Sequence, residues 1–357
     1  MRMHYGEFMP DMDFSAIAEW MNEQGLPDGP IVEVEPLKGG TQNLMYRFRR
    51  GGEAYVFRRP PMHLRAKSNE VLRREMRVLG ALESTPVPAP RLIAGCADDS
   101  ILGGAVFYLM EPIDGFNPAT MLPALHAGDP AIRHQMGLNA ATGIAALGAV
   151  DYEAAGLTDF GKPDGFLERQ VGRWMSELES YNALDGYAGP QIPGLEKVAA
   201  WLEANRPADW QPGIMHGDCH LANLMFAYDG PALAAIVDWE MCTIGDPLLD
   251  LGWLLATWPG SDAIGVLAGS ISLAGGLPSP AELVAHYAEH SDRDLSAIDW
   301  YAVLACFKLG IVLEGTHARA CAGKAPVATG DFLHSLALGL FGRAQKLIGD
   351  THVGLHH

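Results

Sequence analysis

The sequence predicts an α+β chain of two unequal lobes: a small antiparallel-sheet N-lobe, 1–112, and a large helical C-lobe, 113–357. Two observations carry this. Up to residue 112, short alternating runs are separated by glycine-bearing turns. Beyond 116, segments with helical apolar spacing dominate, and only 223–240 returns to a strand pattern. A third observation bounds the class: 48% hydrophobic and 19% charged residues describe a globular chain with a sizeable core, not a disordered one.

Residues 13–25 read as a helix through Phe14, Ile17, Ala18 and Met21, broken by 25–30. The run 31–35 alternates as a strand, 38–43 is a turn, and 44–48 resumes a strand. Gly51 and Gly52 mark a hairpin into a third strand at 54–58. Residues 69–83 read as a helix capped by Ser68 or Asn69, with an apolar stripe of Val71, Leu72, Val78, Leu79 and Leu82. Prolines at 86–90 force extended chain, and 92–94 and 104–110 read as strands. The second part holds helical stretches at 165–181 and 194–205, and helices again from 247 to near 347.

Charge is uneven. Residues 1–113 hold 13 Lys or Arg against 15 Asp or Glu; the remaining 12 and 28 put nearly all of the net −18 on the second part. Such a balance argues against nucleic-acid binding, which needs clustered basic groups. Within the first part, 47–77 is locally basic, which suits a bound anion or simply solvated faces. Five scattered cysteines without CxxC spacing suit a reducing compartment and no structural zinc. The first thirteen residues lack a signal-peptide pattern, and the apolar stretches near 137–150 and 263–276 are too short and glycine-rich to span a bilayer. A cytoplasmic location without a membrane partner is expected.

The chemistry concentrates in His216-Gly217-Asp218-Cys219-His220-Leu221-Ala222-Asn223, followed by Asp238-Trp239-Glu240. Asp218, Asn223 and Asp238 have the types and order that phosphoryl transfer from a magnesium nucleotide requires: a carboxylate for the acceptor hydroxyl, then an amide and a carboxylate for the metal. The runs 224–226 and 233–237 flank a turn at 228–230, so a hairpin is expected to bring Asn223 and Asp238 together. Gly39 and Gly40, with Thr41 beside them, suit a backbone approach to phosphate, though a plain hairpin would use the same glycines. Glu75 lies on the apolar stripe of its helix and so needs a partner; Arg58, at the end of the third strand, is the candidate, with Arg59 the alternative on the opposite face. His216 is expected to orient the loop, His220 and Cys219 to fill it. Asp246 reads as a helix N-cap and Asp250 as a brace for the loop.

These residues resemble the aminoglycoside phosphotransferase family of the protein-kinase-like fold, especially the branch found as kinase-like domains fused to some acyl-CoA dehydrogenases. The resemblance covers 37–43, 56–61, 74–79, 87–90, 107–111, 169–174, 216–223 and 238–247. It implies a bilobal fold, ATP and Mg²⁺ as cofactors, Asp218 as catalytic aspartate, and Asn223 and Asp238 as metal ligands. It implies adenine contacts along 110–113, including Glu111 and Ile113, and phosphate contacts at Gly39, Gly40, Thr41 and Arg58, with Glu75 behind. Arg58 stands where many relatives have lysine. The acceptor implied is a small-molecule hydroxyl, a hydroxyacyl compound or other metabolic alcohol being favoured over an aminoglycoside, choline or homoserine. Arg169, Gln170, Arg173 and Trp174 are candidates for its contacts; packing of their helix is the plainer reading.

Two other classes compete. His216-x-Asp218-x-His220 could ligate a metal in a phosphoesterase, but no further His/Asp motif accompanies it. A catalytically inactive nucleotide-binding module would not need Asp218, Asn223 and Asp238 all present.

Overall fold

The computed structural model describes residues 12–37, 43–260 and 262–351. The chain forms two compact units. The first is Met1–Asp114 with Ala235–Glu240; the second is Gly115–Ala234 with Met241–His357.

In the first unit a helix, α1 (Phe14–Glu23), precedes three strands, β1 (Val32–Pro36), β2 (Leu44–Arg50) and β3 (Glu53–Arg59). Helix α2 (Ser68–Leu82) and strands β4 (Leu92–Cys96) and β5 (Phe107–Met110) follow. The sheet order is β1-β2-β3-β5-β4, and each neighbouring pair is antiparallel. Gly51 and Gly52 make the β2–β3 turn with φ of 58° and 88°, values that a residue with a Cβ adopts at a cost. Asp13 caps α1, its carboxylate accepting from the Ser15 and Ala16 N–H groups at 3.1 and 3.0 Å. That helix packs Ile17, Trp20 and Met21 with Tyr46, Phe48, Tyr55, Phe57 and Phe107 from one sheet face. Alternation then sends Val56 and Arg58 to the other face of β3.

Two sequence expectations shift here. Neither Ser68 nor Asn69 caps α2. The Ser68 hydroxyl accepts from the Arg65 N–H, and the Asn69 side chain donates to Gly104 O and accepts from Val106 N–H. That second pair of bonds secures the segment before β5. The last strand starts at Phe107 rather than 104, because Gly104 N–H turns back to Asp99 O at 2.8 Å.

The second unit is mainly helical: α3 (Ala124–Gly128), α4 (Pro130–Gly148), α5 (Gln170–Ser180), α6 (Leu195–Ala204), α7 (Leu248–Thr257), α8 (Ser270–Ala274), α9 (Pro280–Ala288), α10 (Ile298–Cys321) and α11 (Val327–Thr351). Strand β6 (Gly213–Met215) pairs antiparallel with β9 (Thr243–Gly245), and β7 (Leu224–Phe226) forms a two-stranded sheet with β8 (Leu233–Ile236). The β7–β8 turn closes through Ala227 N–H to Ala232 O at 3.0 Å. Helix α5 begins at Gln170, five residues after the expected Gly165, because Phe166 N–H and Arg169 N–H make turns to Pro163 O and Gly165 O. Most of α10 is buried, nearly without a break from Trp300 through Ile311, and it packs on α7 and α11. It is the central post of this unit. Among the described residues no helix is long and apolar enough to cross a membrane. All five cysteines are free thiols.

Candidate functional site

In the first unit, β3 carries Arg58 to a buried position facing α2. Its Nε lies 2.9 Å from Glu75 Oε2, and its Nη2 donates to Glu75 Oε1 at 3.1 Å and to Asp238 Oδ1 at 2.9 Å. The Tyr108 hydroxyl, from β5, donates to Glu75 Oε2 at 2.7 Å. Glu75 is only 1% exposed. Burial pushes its carboxyl up, while Arg58 and the Tyr108 hydroxyl pull it back. Burial alone would lower Arg58; Tyr108, Glu75 and Asp238 outweigh it and raise the guanidinium further. A glutamate on an apolar stripe thus has the arginine partner its position demanded. Arg59 is buried on the opposite face, donating to Pro60 O at 3.1 Å.

Asp238 has φ of 69°, in the left-handed region that Asp enters more readily than most residues. Its neighbours in the first unit hold it there: Ile236 N–H donates to Pro88 O at 2.8 Å and Trp239 Nε1 to Ile236 O at 3.0 Å. One carboxylate oxygen from each of Glu75, Asp238 and Glu240 lies within 4.8 Å of the others. Of these, Glu75 is committed to Arg58 and Tyr108 and Asp238 Oδ1 to Arg58, while Asp238 keeps its second oxygen for a hard cation such as Mg²⁺. Glu111 follows β5, pairs with Arg91, and donates its N–H to Arg91 O at 3.0 Å. Ile113 lies just beyond, at the end of the first unit's main segment. Gly39, Gly40 and Thr41 lie outside the described residues.

In the second unit, β6 delivers the 216–223 loop. The buried Asp250 of α7 accepts from His216 N–H at 2.5 Å and Gly217 N–H at 2.8 Å. Burial pushes its carboxyl up, against the pull of His216, these two N–H groups and Lys308. Gly217 has φ of 87°, and a Cβ there would lie 2.6 Å from Met241 O, so glycine is required on two counts. Asn223 Nδ2 donates to Asp218 O at 2.9 Å and to Asp218 Oδ2 at 3.1 Å. His220 Nε2 sits 3.5 Å from Asp218 Oδ1. Burial would raise the Asp218 carboxyl, but the His220 hydrogen bond, with the charges of His220, His216 and Lys308, holds it below the usual range. Asp218 is therefore an anion at neutral pH.

His220 is more than loop filler: it touches Asp218, and its Nδ1 accepts from Ala222 N–H at 3.3 Å. His216 Nδ1 accepts from Asp218 N–H at 3.4 Å. Both rings thus spend their Nδ1 on loop geometry. Asp246 supports α7 from one residue further out than expected, accepting from Leu248 N–H at 3.0 Å and from the Tyr301 hydroxyl at 2.5 Å. Of the four acceptor candidates on and before α5, Arg169 bonds to Lys162 O and Asp164 O, and Gln170 to Phe166 O. Both serve local backbone.

Sequence reading passed over Lys308. From the middle of α10 it donates to Gly217 O at 3.0 Å, with its ammonium 4.4 Å from the Trp253 ring centroid and 5.5 Å from that of Trp174. Burial pushes the amine down to about 8, opposed by Asp218 and Asp250 and assisted by Arg173. The signal was a lone lysine inside an apolar run, where a buried charge needs a purpose.

The model of the "Phosphotransferase enzyme family" matches residues 33–284. The chain belongs to this family. A human relative, acyl-CoA dehydrogenase family member 11, is 30% identical over 86% of this chain but only 39% of its own length. For mouse acyl-CoA dehydrogenase family member 10, identity is 28% and the shares are 84% and 28%. The phosphotransferase chain thus spans well under half the length of these curated relatives. A solved structure from Ralstonia eutropha, assigned to the aminoglycoside phosphotransferases, is 29% identical with a TM-score of 0.77, covering 94% of this chain and 99% of that one. At 12% identity, a thermostable mutant of aminoglycoside phosphotransferase APH(4)-Ia in ternary complex with ADP and hygromycin B shares the fold, with a TM-score of 0.56 over 92% and 97% of the two chains. The phosphotransferase therefore has the kinase-like α+β fold expected from sequence.

Proposed function

We propose that this phosphotransferase transfers the γ-phosphoryl group of ATP, with Mg²⁺, to a hydroxyl of a small molecule, most readily a hydroxyacyl compound or another metabolic alcohol. The observation that carries the reading is Asp218: an anion kept below the usual carboxylate range on a loop braced by Asp250, Asn223 and Lys308. Such a carboxylate orients an acceptor hydroxyl and takes its proton as the oxygen bonds to the γ-phosphorus and the bond to the β-phosphate oxygen breaks, releasing ADP. Asn223 and Asp238 are the residues that would hold Mg²⁺, which when bound neutralises charge on the phosphates. Arg58, fixed by Glu75, presents a permanent cation to the nucleotide phosphates. The backbone at 110–113 is assigned to adenine. The ADP and hygromycin B complex of the APH(4)-Ia relative, and the acyl-CoA dehydrogenase names of the sequence relatives, support nucleotide use and an acyl-linked acceptor respectively.

The test is ATP consumption by purified protein with Mg²⁺ against hydroxyacyl thioesters, amino alcohols and aminoglycosides. A hydroxyacyl or simple alcohol acceptor should be phosphorylated, and Asp218→Asn should remove that activity while nucleotide binding persists. Equal turnover in Asp218→Asn would sink the assignment.

A further inference from the structure

A second cluster of chemistry lies in the second unit, away from the 216–223 loop, and the phosphotransfer reading makes no use of it. Helix α10 carries Glu314 and His317 one turn apart, and α11, which packs on α10, carries Asp331 and His334 at the same spacing. Residues three apart share a helix face, so each pair points one way. One donor atom from each of Glu314, His317 and His334 lies within 4.8 Å of the other two.

Glu314 is fully buried. His334 Nδ1 is 2.6 Å from Glu314 Oε2, and the Tyr187 hydroxyl donates to Oε1 at 2.8 Å. Those two contacts would satisfy a buried glutamate by themselves. They do not account for His317. Its ring stacks on that of His334 at 4.6 Å between centroids and 29° between planes. Its Nδ1 is buried with no hydrogen-bond partner, the nearest acid, Asp331, being 3.7 Å away. An imidazole nitrogen held there without a hydrogen bond is unfavourable unless something else binds it. The cluster borders a cavity of about 210 Å³, also lined by Tyr187 and Cys321, which is room for an ion and its water.

We propose that Glu314, His317 and His334 bind a divalent transition-metal cation, zinc foremost. Two imidazoles and one carboxylate are a zinc donor set that leaves a fourth position open, here toward the cavity. Tyr187 supplies the outer hydrogen bond that orients the carboxylate. On binding, the ion takes the place of the proton shared between His334 and Glu314, and draws in the unbonded nitrogen of His317. Imidazole ligands select against Mg²⁺, so this site and the nucleotide-linked one do not compete for metal. The occupied site would clamp α10 to α11. The proposal does not depend on the phosphotransfer reading.

The full chain, stripped with a chelator and dialysed, is titrated with Zn²⁺ alone by calorimetry, and with Co²⁺ alone by visible absorbance. Expected are one ion per chain at micromolar or tighter affinity, intense tetrahedral Co²⁺ bands, and a Tm rise of at least about 2 °C. His317→Ala leaves the Tyr187–Glu314–His334 contacts intact, so it should fold, and it should weaken binding by about tenfold or more. Binding should survive a variant in which His286, His290, His356 and His357 are all alanine. Absence of a one-to-one Zn²⁺ complex in the unaltered chain overturns the proposal. So does unchanged affinity in folded His317→Ala, or loss of binding in the four-histidine control.

Discussion

Lys308→Met separates the stability of the second unit from its activity. The methionine keeps the length and apolar stem of the side chain while removing its charge. The amine falls from an ordinary 10.5 to about 8 in the fold, so holding it charged at pH 7 costs roughly 3 kcal/mol. Against that, removing the amine leaves the buried Gly217 O without its donor, a cost of about 1–3 kcal/mol. The two nearly cancel, so Tm at pH 7 should move by only a few degrees. Activity should not be spared. The charge helps keep Asp218 anionic and ties the loop to α10, so turnover should fall by about tenfold or more, as for a lost charged hydrogen bond. The pH profile sharpens the test. A base with a depressed folded pKa is less protonated folded than unfolded between 8 and 10.5, so stability of the unaltered protein should rise with pH across that window. Turnover should fall over the lower part of it, as Lys308 loses its proton. Thermal melts and initial rates from pH 6 to 10 read both curves. A turnover limb near pH 8 that persists in Lys308→Met, or unaltered turnover at pH 7, would refute the reasoning.

Other substitutions probe the remaining parts. Glu75→Gln keeps the Tyr108 contact but leaves Arg58 short of one carboxylate, and should cost about 3 kcal/mol in denaturant unfolding along with a raised KM for ATP. Gly217→Ala forces a Cβ against Met241 O and an unfavourable φ; it should unfold at least about 2 kcal/mol more easily, and unchanged stability would mean that the loop can move aside. Asp250→Asn puts an amide where two N–H groups need acceptors, so turnover should drop about tenfold with nucleotide affinity, read by calorimetry, kept within twofold. Asp238→Ala should weaken Mg²⁺-dependent nucleotide binding in the same assay, leaving metal-free nucleotide binding nearly as it was.

What the sequence revealed follows from how local each signal is. The β2–β3 hairpin was legible because Gly51 and Gly52 sit between two alternating runs. The Arg58–Glu75 pair was legible because a glutamate among Val71, Leu72, Val78 and Leu79 needs a partner once buried, and strand alternation turns Arg58 rather than Arg59 toward it. Asp250 could be read as structural from its place on the polar side of an otherwise apolar turn, Leu248-Leu249-Leu251. The capping of α2 was not legible: Ser68 and Asn69 have the right side chains, but these bond to Arg65 and to the segment before β5, partners set by tertiary structure. Lys308 was missed for the same reason. Its partners, Gly217, Trp174 and Trp253, come from three distant segments, and only the folded chain shows that a lysine in an apolar helix has a carbonyl to reach.

The charge balance is a bulk property, and the site is a local one. The second part of the chain carries nearly all of the net −18, which taken alone favours a cationic acceptor. Around Asp218 the local picture is different. Lys308 is within hydrogen-bond reach of its neighbour Gly217, Arg173 is close enough to depress the Lys308 amine, and His216 and His220 both contact Asp218. At physiological salt, exposed charges beyond about 8 Å are largely screened, so the groups around Asp218, the acid Asp250 among them, set the local field rather than the distant acids. Arg173 and Trp174 also differ from Arg169 and Gln170: the latter pair spend their polar groups on backbone, whereas Trp174 keeps a buried Nε1 without a partner. Under the proposed function, that buried donor beside two cations is a candidate contact for a carbonyl or anionic oxygen of the acceptor. In the acceptor screen, then, Trp174→Phe should raise KM for a hydroxyacyl thioester by about fivefold, a hydrogen bond's worth, and leave KM for ATP alone. A KM for the thioester unchanged from that of the unaltered protein would return Trp174 to the packing of α5.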